Sequence, residues 1–317
     1  MGSFIESLYG NGALLIMWGA LLFHLLIPIP PAAHPVRFWQ QLAQLIANKV
    51  NTATSSAQQK QLSGTLALLL MLVPTLLVLI ALQSIVWKAE FYHLALLLLA
   101  LDWRGNETLT RRLIQALATE DKPLARRLLS TRINRDTNTL SLLGIGKASA
   151  ETLLLSYARN VVGVLFWYSL LGGIGALIYR LTLELARNWS PSQRSFSEFG
   201  RAAASLFSLL DFVPQKLFSL LVMVGMPVHK VRQALSQSKA WHNSVTGWLI
   251  CSYAHRFELA LGGPAIYQGE KHQRARVGGK IAPSAYHLAQ LQKHIAWRIY
   301  LFLVVLSLIM FIVHKGF

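Results

Sequence analysis

The chain has 317 residues, of which 54% are hydrophobic and 14% charged, against roughly 25% charged residues in a soluble domain. Thirty Lys and Arg against thirteen Asp and Glu leave a net charge of +17, which suits either a nucleic-acid partner or an anionic membrane surface. Long apolar runs decide between the two. Basic residues beside such runs mark cytoplasmic loops held near anionic lipid, so no nucleic-acid partner is expected and the lipid bilayer is. The single cysteine, Cys251, excludes an internal disulfide and any cysteine-based zinc or iron–sulfur site.

Residues 13–27 form the first apolar run, without a basic leader before it or a small-residue cleavage pattern after it, and it reads as a retained helix ended by Pro28, Pro30 and Pro31. Residues 64–86 are the clearest span, long enough at 1.5 Å per residue to cross a hydrocarbon core of about 30 Å, with Pro74 as a kink. Residues 91–101 are apolar but short, and either return through the membrane or lie in its interface. From residue 102 to 147 the chain turns polar. Leu109, Leu113, Ile114 and Leu117 recur at helical spacing and Asp121 with Pro123 marks a new helix start, which together predict a helical hairpin. Residues 161–179 form another span, whose Gly172, Gly173 and Gly175 suit close packing of a neighbouring helix. Residues 206–226 are apolar except for Asp211 and Lys216, with Pro214 between them; an ionisable group at that depth calls for a paired or cavity-facing setting. A long polar stretch, 229–298, precedes a last span at 299–313.

This makes five or six spans in one domain, 1–317, with cytoplasmic helical loops near 102–159 and 227–298. The fold class is all-α: a polytopic membrane helical bundle with a helical cytoplasmic portion. Most Lys and Arg sit in 28–63, 102–159 and 227–298, which orients these loops to the cytoplasm and the N-terminus outward. Residues 180–203 resist this scheme, because Arg180, Arg187, Arg194 and Arg201 face only Glu184 and Glu198; an interfacial helix is expected there.

No soluble-enzyme signature is present. Gly144-Ile-Gly-Lys-Ala-Ser149 lacks the spacer and preceding strand of a phosphate loop, and the ten histidines show no zinc-protease pairing. A serine nucleophile elbow and a dinucleotide-binding glycine motif are also missing. What remains is a set of polar residues at span borders: His34-Pro-Val-Arg37, Arg135-Asp136-Thr137, Glu151-Thr152 and the 262–270 loop. Together they suit an anionic or phosphorylated ligand, since arginine offers a planar fork to carboxylate or phosphate and Gly262-Gly263 allows close backbone approach. The competing reading makes Arg37 and Arg135 headgroup anchors and Asp136 a helix cap.

The same residues resemble the CobD/CbiB family of membrane proteins, adenosylcobinamide-phosphate synthases of cobalamin biosynthesis. The resemblance rests on His34-Pro-Val-Arg37, Arg135-Asp136-Thr137, Glu151-Thr152, and Leu261-Gly-Gly-Pro followed by Tyr267-x-Gly269-Glu270. It implies an ATP-dependent amide ligase using magnesium, with a corrinoid or a phosphorylated aminopropanol as ligand, in the bacterial inner membrane. It also implies a ligand-binding set of His34, Arg37, Arg135, Asp136, Glu151, Gly262, Gly263, Tyr267 and Glu270, to which Asp211 is added as an ionisable group at membrane depth. An oligomer is compatible with it, and catalytic residues stay unassigned.

Departures from the family pattern carry weight too. Where the family has Glu-Asn-Thr-x-x-Asp this chain reads Leu154-Leu-Ser-Tyr-Ala-Arg-Asn160, without an acid, and Ile27-Pro-Ile-Pro-Pro31 replaces the acids before His34. An Asn-Thr-Leu-Asp element reads Leu181-Thr-Leu-Glu-Leu185, and a Ser-Pro-Asn element is replaced at residues 243–250. Ligation driven by nucleotide hydrolysis needs carboxylates to hold magnesium, so these losses argue against the family's reaction. Leu165-Phe-Trp with Gly172-Gly, and Leu209-Leu-Asp-Phe-Val-Pro-Gln-Lys-Leu217, are similar to AmpE, a noncatalytic membrane sensor or modulator, which supplies the alternative reading. A transporter is disfavoured by the lack of inverted repeats.

Overall fold

A computed structural model describes residues 12–26, 35–241 and 243–313. Its helices are α1 (Gly12–Leu26), α2 (Val36–Val50), α3 (Ala57–Ile85), α4 (Ala89–Ala100), α5 (Trp103–Ala118), α6 (Lys122–Ser130), α7 (Leu142–Tyr157), α8 (Val164–Asn188), α9 (Arg201–Met223), α10 (Val228–Ser238), α11 (Ser244–Arg256) and α12 (Ala285–Val313). A π turn, Ala158–Gly163, joins α7 to α8. Among the described residues, four segments are long and apolar enough to cross a membrane: Ala57–Ile85, Leu142–Asn188, Arg201–Met223 and Ala285–Val313; Gly12–His24 is a shorter apolar helix. The protein is thus an all-α, multi-pass membrane protein.

The chain divides into two compact units, one of Met1–Arg104, Gly163–Leu210 and Leu303–Phe317, the other of Gly105–Val162 and Asp211–Phe302. In the first, α3 opens on a capping box, Ser56 accepting from the Gln59 amide while Gln59 accepts from that of Ser56, which satisfies donors that a helix start leaves free. Leu66, Leu69, Leu70, Val73 and Leu77 are exposed along α3, as a lipid-facing stripe requires. Gly64 lets the helix lie against the Phe199 backbone.

α8 bends at Gly172, which adopts φ +62° and ψ −157°. His93 Nδ1, on α4, accepts the Gly173 amide at 3.0 Å, so a backbone group beside the bend keeps a partner. A side chain at Gly173 would bring a Cβ to 2.8 Å from the His93 carbonyl oxygen. The expected packing role of these glycines therefore holds, and α4 is the helix that approaches. α4 has 12 residues, about 18 Å at 1.5 Å per residue, too short to cross by itself.

The interfacial helix expected over 180–203 is not formed. Residues 180–188 continue α8, followed by a 3-10 turn at Arg194–Phe196. Arg180 is buried, 3.1 Å from Glu184 and 3.7 Å from Asp102, and Arg187 lies 3.1 Å from Glu184. Counting arginines missed this because Glu184 stands one turn from Arg180 on the same face, which allows a buried charge to be paired. α2 docks beside them: Trp39 donates to the Leu181 carbonyl at 3.2 Å and Gln40 to Glu184 at 2.7 Å.

The second unit holds the expected hairpin, α5 and α6, with Asp121 capping α6 by accepting from Leu124 N. Residues 227–298 are helical in α10, α11 and the start of α12, but 260–278 form strands. β1 (Ala260–Gly262) pairs antiparallel with β4 (Arg276–Gly278), and β2 (Ala265–Tyr267) with β3 (Glu270–His272). Positive φ at Gln268 (49°) and Gly269 (83°) turns β2 into β3, the backbone that a two-residue hairpin needs.

Candidate functional site

Most of the sequence-derived site residues meet in the second unit, around Glu151. This carboxylate projects from α7 and is 8% exposed. Its Oε1 accepts the Gly262 amide at 2.9 Å, and both its oxygens accept from Arg274, with Nη1 and Nη2 each 3.1 Å from Oε2. Arg274 also donates through Nε to the Gly263 carbonyl at 3.1 Å and lies 5.7 Å from the face of Trp241. The guanidinium is thereby held on its fork, its Nε and one face.

Two consecutive glycines make this possible. Gly262 and Gly263 adopt φ of +72° and +94°, a region costly for residues with a Cβ. A Cβ at Gly262 would collide with the Ala275 carbonyl and stand 2.8 Å from the Trp241 ring.

Asp136 serves the neighbouring hairpin. Its Oδ2 accepts the Gly269 amide at 2.9 Å and its own amide donates to the Ile266 carbonyl at 2.8 Å. The helix-cap alternative for Asp136 is thus replaced by a clamp on the β2–β3 turn. Arg135, half-buried, donates through Nη2 to the Gly144 carbonyl at 3.3 Å. Its Nε is buried without a hydrogen-bond partner among the described residues. Burial draws the Arg135 guanidinium below its ordinary pKa, and Glu151, the largest opposing influence, raises it. Tyr267 lies within electrostatic range of Arg135 and packs edge-on to His272 with ring centres 5.4 Å apart. Glu270, on β3, is exposed.

The remaining expected residues are not part of this cluster as described. Arg37 is exposed on α2 in the first unit, and His34 lies outside the described residues. Asp211, on α9, is 1% exposed and pairs with Arg159 of the π turn, Nε to Oδ2 at 3.0 Å. The paired setting expected for a deep carboxylate is therefore found.

Sequence reading passed over Arg274, Lys147 and Trp241. The available signal was Arg274-Ala-Arg276 just beyond the glycine-rich signature, two cations in alternate positions of an extended stretch. The carboxylates of the cluster do not fit a protein-held magnesium ion as they are arranged. Glu151 is engaged by Arg274 and Gly262, and Asp136 by Gly269, whereas magnesium demands open oxygen ligands in near-octahedral array.

Comparison with known proteins adds a consistent set of relatives. The CobD/Cbib protein family matches residues 17–296. A cobalamin biosynthesis protein CobD of Stutzerimonas stutzeri is 32% identical over 274 residues, 85% of this chain and 89% of its own. One of Chromobacterium violaceum is 29% identical over 263 residues, 82% of this chain and 84% of its own. A probable cobalamin biosynthesis protein CobD of Pyrococcus abyssi is 28% identical over 219 residues, 66% and 71% of the two chains. No solved structure matches the chain. Nothing in these comparisons favours the AmpE-like reading.

Proposed function

The chain belongs to the CobD/Cbib protein family, and on that premise we propose that it acts in cobalamin biosynthesis as a ligand-holding protein of the bacterial inner membrane. Its ligand is a phosphorylated aminopropanol or a corrinoid carboxylate, held in the second unit by Arg135 and the 262–270 loop. The single observation that carries this reading is the Glu151–Arg274 fork, which with the Gly262 amide joins two of the motifs around one buried carboxylate and its guanidinium partner. Asp211, also in the second unit, belongs to the proposal as a further polar contributor; Arg37 and His34 are sequence candidates treated apart from that site. Arg37 is either a headgroup anchor or a second anion-facing arginine, which Arg37→Lys separates, because lysine keeps the charge and loses the fork.

The site faces the cytoplasm, since residues 102–159 and 227–298 hold much of the Lys and Arg. Reporter fusions near Arg126 and Lys271 are expected to be active only with a cytoplasmic reporter. The function itself is tested by retention of radiolabelled aminopropanol phosphate and of cobinamide or cobyric acid on the detergent-purified full chain. Saturable retention of either supports the proposal, and retention of neither overturns it.

A further inference from the structure

We propose that Arg256 and Arg298 form a binding site for the headgroup of an anionic phospholipid, at the C-terminal end of α9 in the second unit. The site shares no residue with the Glu151 cluster and does not depend on the ligand proposed there.

The two guanidinium groups meet at one backbone atom. Arg256, at the end of α11, donates through Nη2 to the Val224 carbonyl at 2.7 Å and to that of Val222 at 3.0 Å, and Arg298, on α12, donates through Nη2 to the same Val224 carbonyl at 2.7 Å. Their other neighbours are an imidazole and a phenol: Arg298 Nε donates to His294 Nε2 at 3.4 Å, and Tyr253 lies within electrostatic range of Arg256. No carboxylate among the described residues pairs with either arginine. A helix C-terminus carries roughly half a negative charge, so two cations gathered on one leave about one and a half positive charges uncompensated. An anion relieves that excess, and the protein does not supply it.

Donors then decide where the anion sits. Arg256 is half-buried, and its Nε is buried with no hydrogen-bond partner among the described residues; an orphaned donor of this kind points to a missing acceptor. Arg298, 8% exposed, adds its charge from the protein side. The approach between them is open at Gly225, which turns the chain out of α9 with φ +74° and where a Cβ would meet only Arg298 Nη2, at 4.0 Å.

Membrane depth names the anion. α9 and α12 are both long and apolar enough to cross a bilayer. Phe218 packs edge-on to Phe302 with ring centres 6.4 Å apart, and further along α9 Val224 meets Arg298, so the two helices run antiparallel. Val213, Leu217, Leu220 and Val224 are exposed along α9, and Trp297 and Tyr300 are exposed on either side of Arg298 on α12. Exposed Trp and Tyr at the end of a span mark the level of the lipid headgroups, and the apolar stripe leading up to it gives acyl chains a surface to lie on. A basic pocket between membrane helices at that level suits an anionic lipid, whose phosphate oxygens guanidinium groups grip through paired hydrogen bonds.

The test uses the full chain, purified in detergent and stripped of lipid, titrated with phosphatidylglycerol or with phosphatidylcholine of the same acyl chains while bound lipid is counted by native mass spectrometry. About one phosphatidylglycerol per chain is expected at low lipid, held about ten-fold more tightly than phosphatidylcholine, and Arg256→Gln is expected to abolish most of that preference. Arg112→Gln, which removes an exposed cation of α5, is expected to bind as the parent does. Equal retention of the two lipids by the parent overturns the proposal whether or not any variant folds. A folded Arg256→Gln that keeps the parent's preference also overturns it, as does an equal loss in Arg112→Gln, since general surface charge would then account for the binding. Inorganic phosphate added at constant ionic strength is expected to displace the lipid poorly, because it lacks the acyl chains; complete displacement would place a soluble phosphate there and sink the lipid assignment.

Discussion

Glu151 and Arg274 form a two-pronged ion pair, Nη1 and Nη2 each 3.1 Å from Oε2, with side chains only 11% and 10% exposed. Breaking such a pair from one side leaves a charge stranded in low dielectric. Glu151→Ala is therefore expected to cost about 3–5 kcal/mol, whereas Glu151→Gln, which keeps an oxygen for the Gly262 amide, costs less. Chemical denaturation of the detergent-purified variants measures both. A loss below about 1 kcal/mol for Glu151→Ala would show that the fork does not hold the glycine loop.

Two glycines of the same loop region separate strain from collision. Gly269 has φ +83° but open space around a would-be Cβ, and Gly262 has φ +72° with the Ala275 carbonyl in the way. Gly269→Ala is expected to cost about 1 kcal/mol, the penalty of the left-handed region alone. Gly262→Ala adds a backbone collision and should exceed that by 2 kcal/mol or more, with loss of the β1–β4 pairing. Comparable melting shifts for the two variants would contradict this division.

Much of the fold was legible because its signals are local. Apolar runs long enough to span, the Asp121 cap, the packing glycines of α8 and the need of Asp211 for a partner all follow from adjacent residues and the cost of polar groups in lipid. The strands over 260–278 were not legible, since segments of three residues carry no periodicity to read. The site was half legible. Glu151, Arg135 and the glycines stood in recognisable motifs, but Arg274 meets Glu151 across 123 residues of chain, and no local pattern announces that pairing. Arg180 failed differently: its buried partner Glu184 stood one turn away and in plain view, and only the second, half-buried partner Asp102 was far off in sequence.

His255 gives the second unit a pH dependence. Burial, assisted by Lys230, holds its pKa below the ordinary value of 6.5. Its Nε2 lies 3.0 Å from Gln237 Oε1, which also accepts the Gly278 amide, so the ring donates here and ties α11 to α10 and β4. The folded state then binds fewer protons than the unfolded state just below pH 6.5. The stability gained is fully present above that pH and is lost as the pH falls toward the depressed folded value. Denaturation midpoints measured from pH 7.5 to about 5 should fall more steeply in the parent than in His255→Gln. Parallel curves for the two proteins would remove His255 from the account.

The last prediction concerns chemistry. The family's acids near 154–160 are replaced by Leu154, Ser156, Tyr157, Arg159 and Asn160, and the structure shows what stands there instead. Asn160 donates to Asn106 at 3.0 Å, Asn106 donates to the Ser156 carbonyl at 3.2 Å, and Arg159 is committed to Asp211. These neutral amides and one paired arginine supply no open carboxylate for a magnesium-bound nucleotide, which needs such oxygens to stabilise phosphoryl charge. Expressed in a strain lacking adenosylcobinamide-phosphate synthase, the chain is expected not to restore cobinamide-independent cobalamin synthesis from cobyric acid, although it is inserted and folded. Restoring acids by Ser156→Glu with Asn160→Asp is not expected to recover growth either, because Arg159 and the Asn106 network hold that turn in its present shape. Growth restored by the parent chain would show that Glu151, Asp136 and Glu270 suffice for ligation, and the ligand-holding reading would give way to a catalytic one.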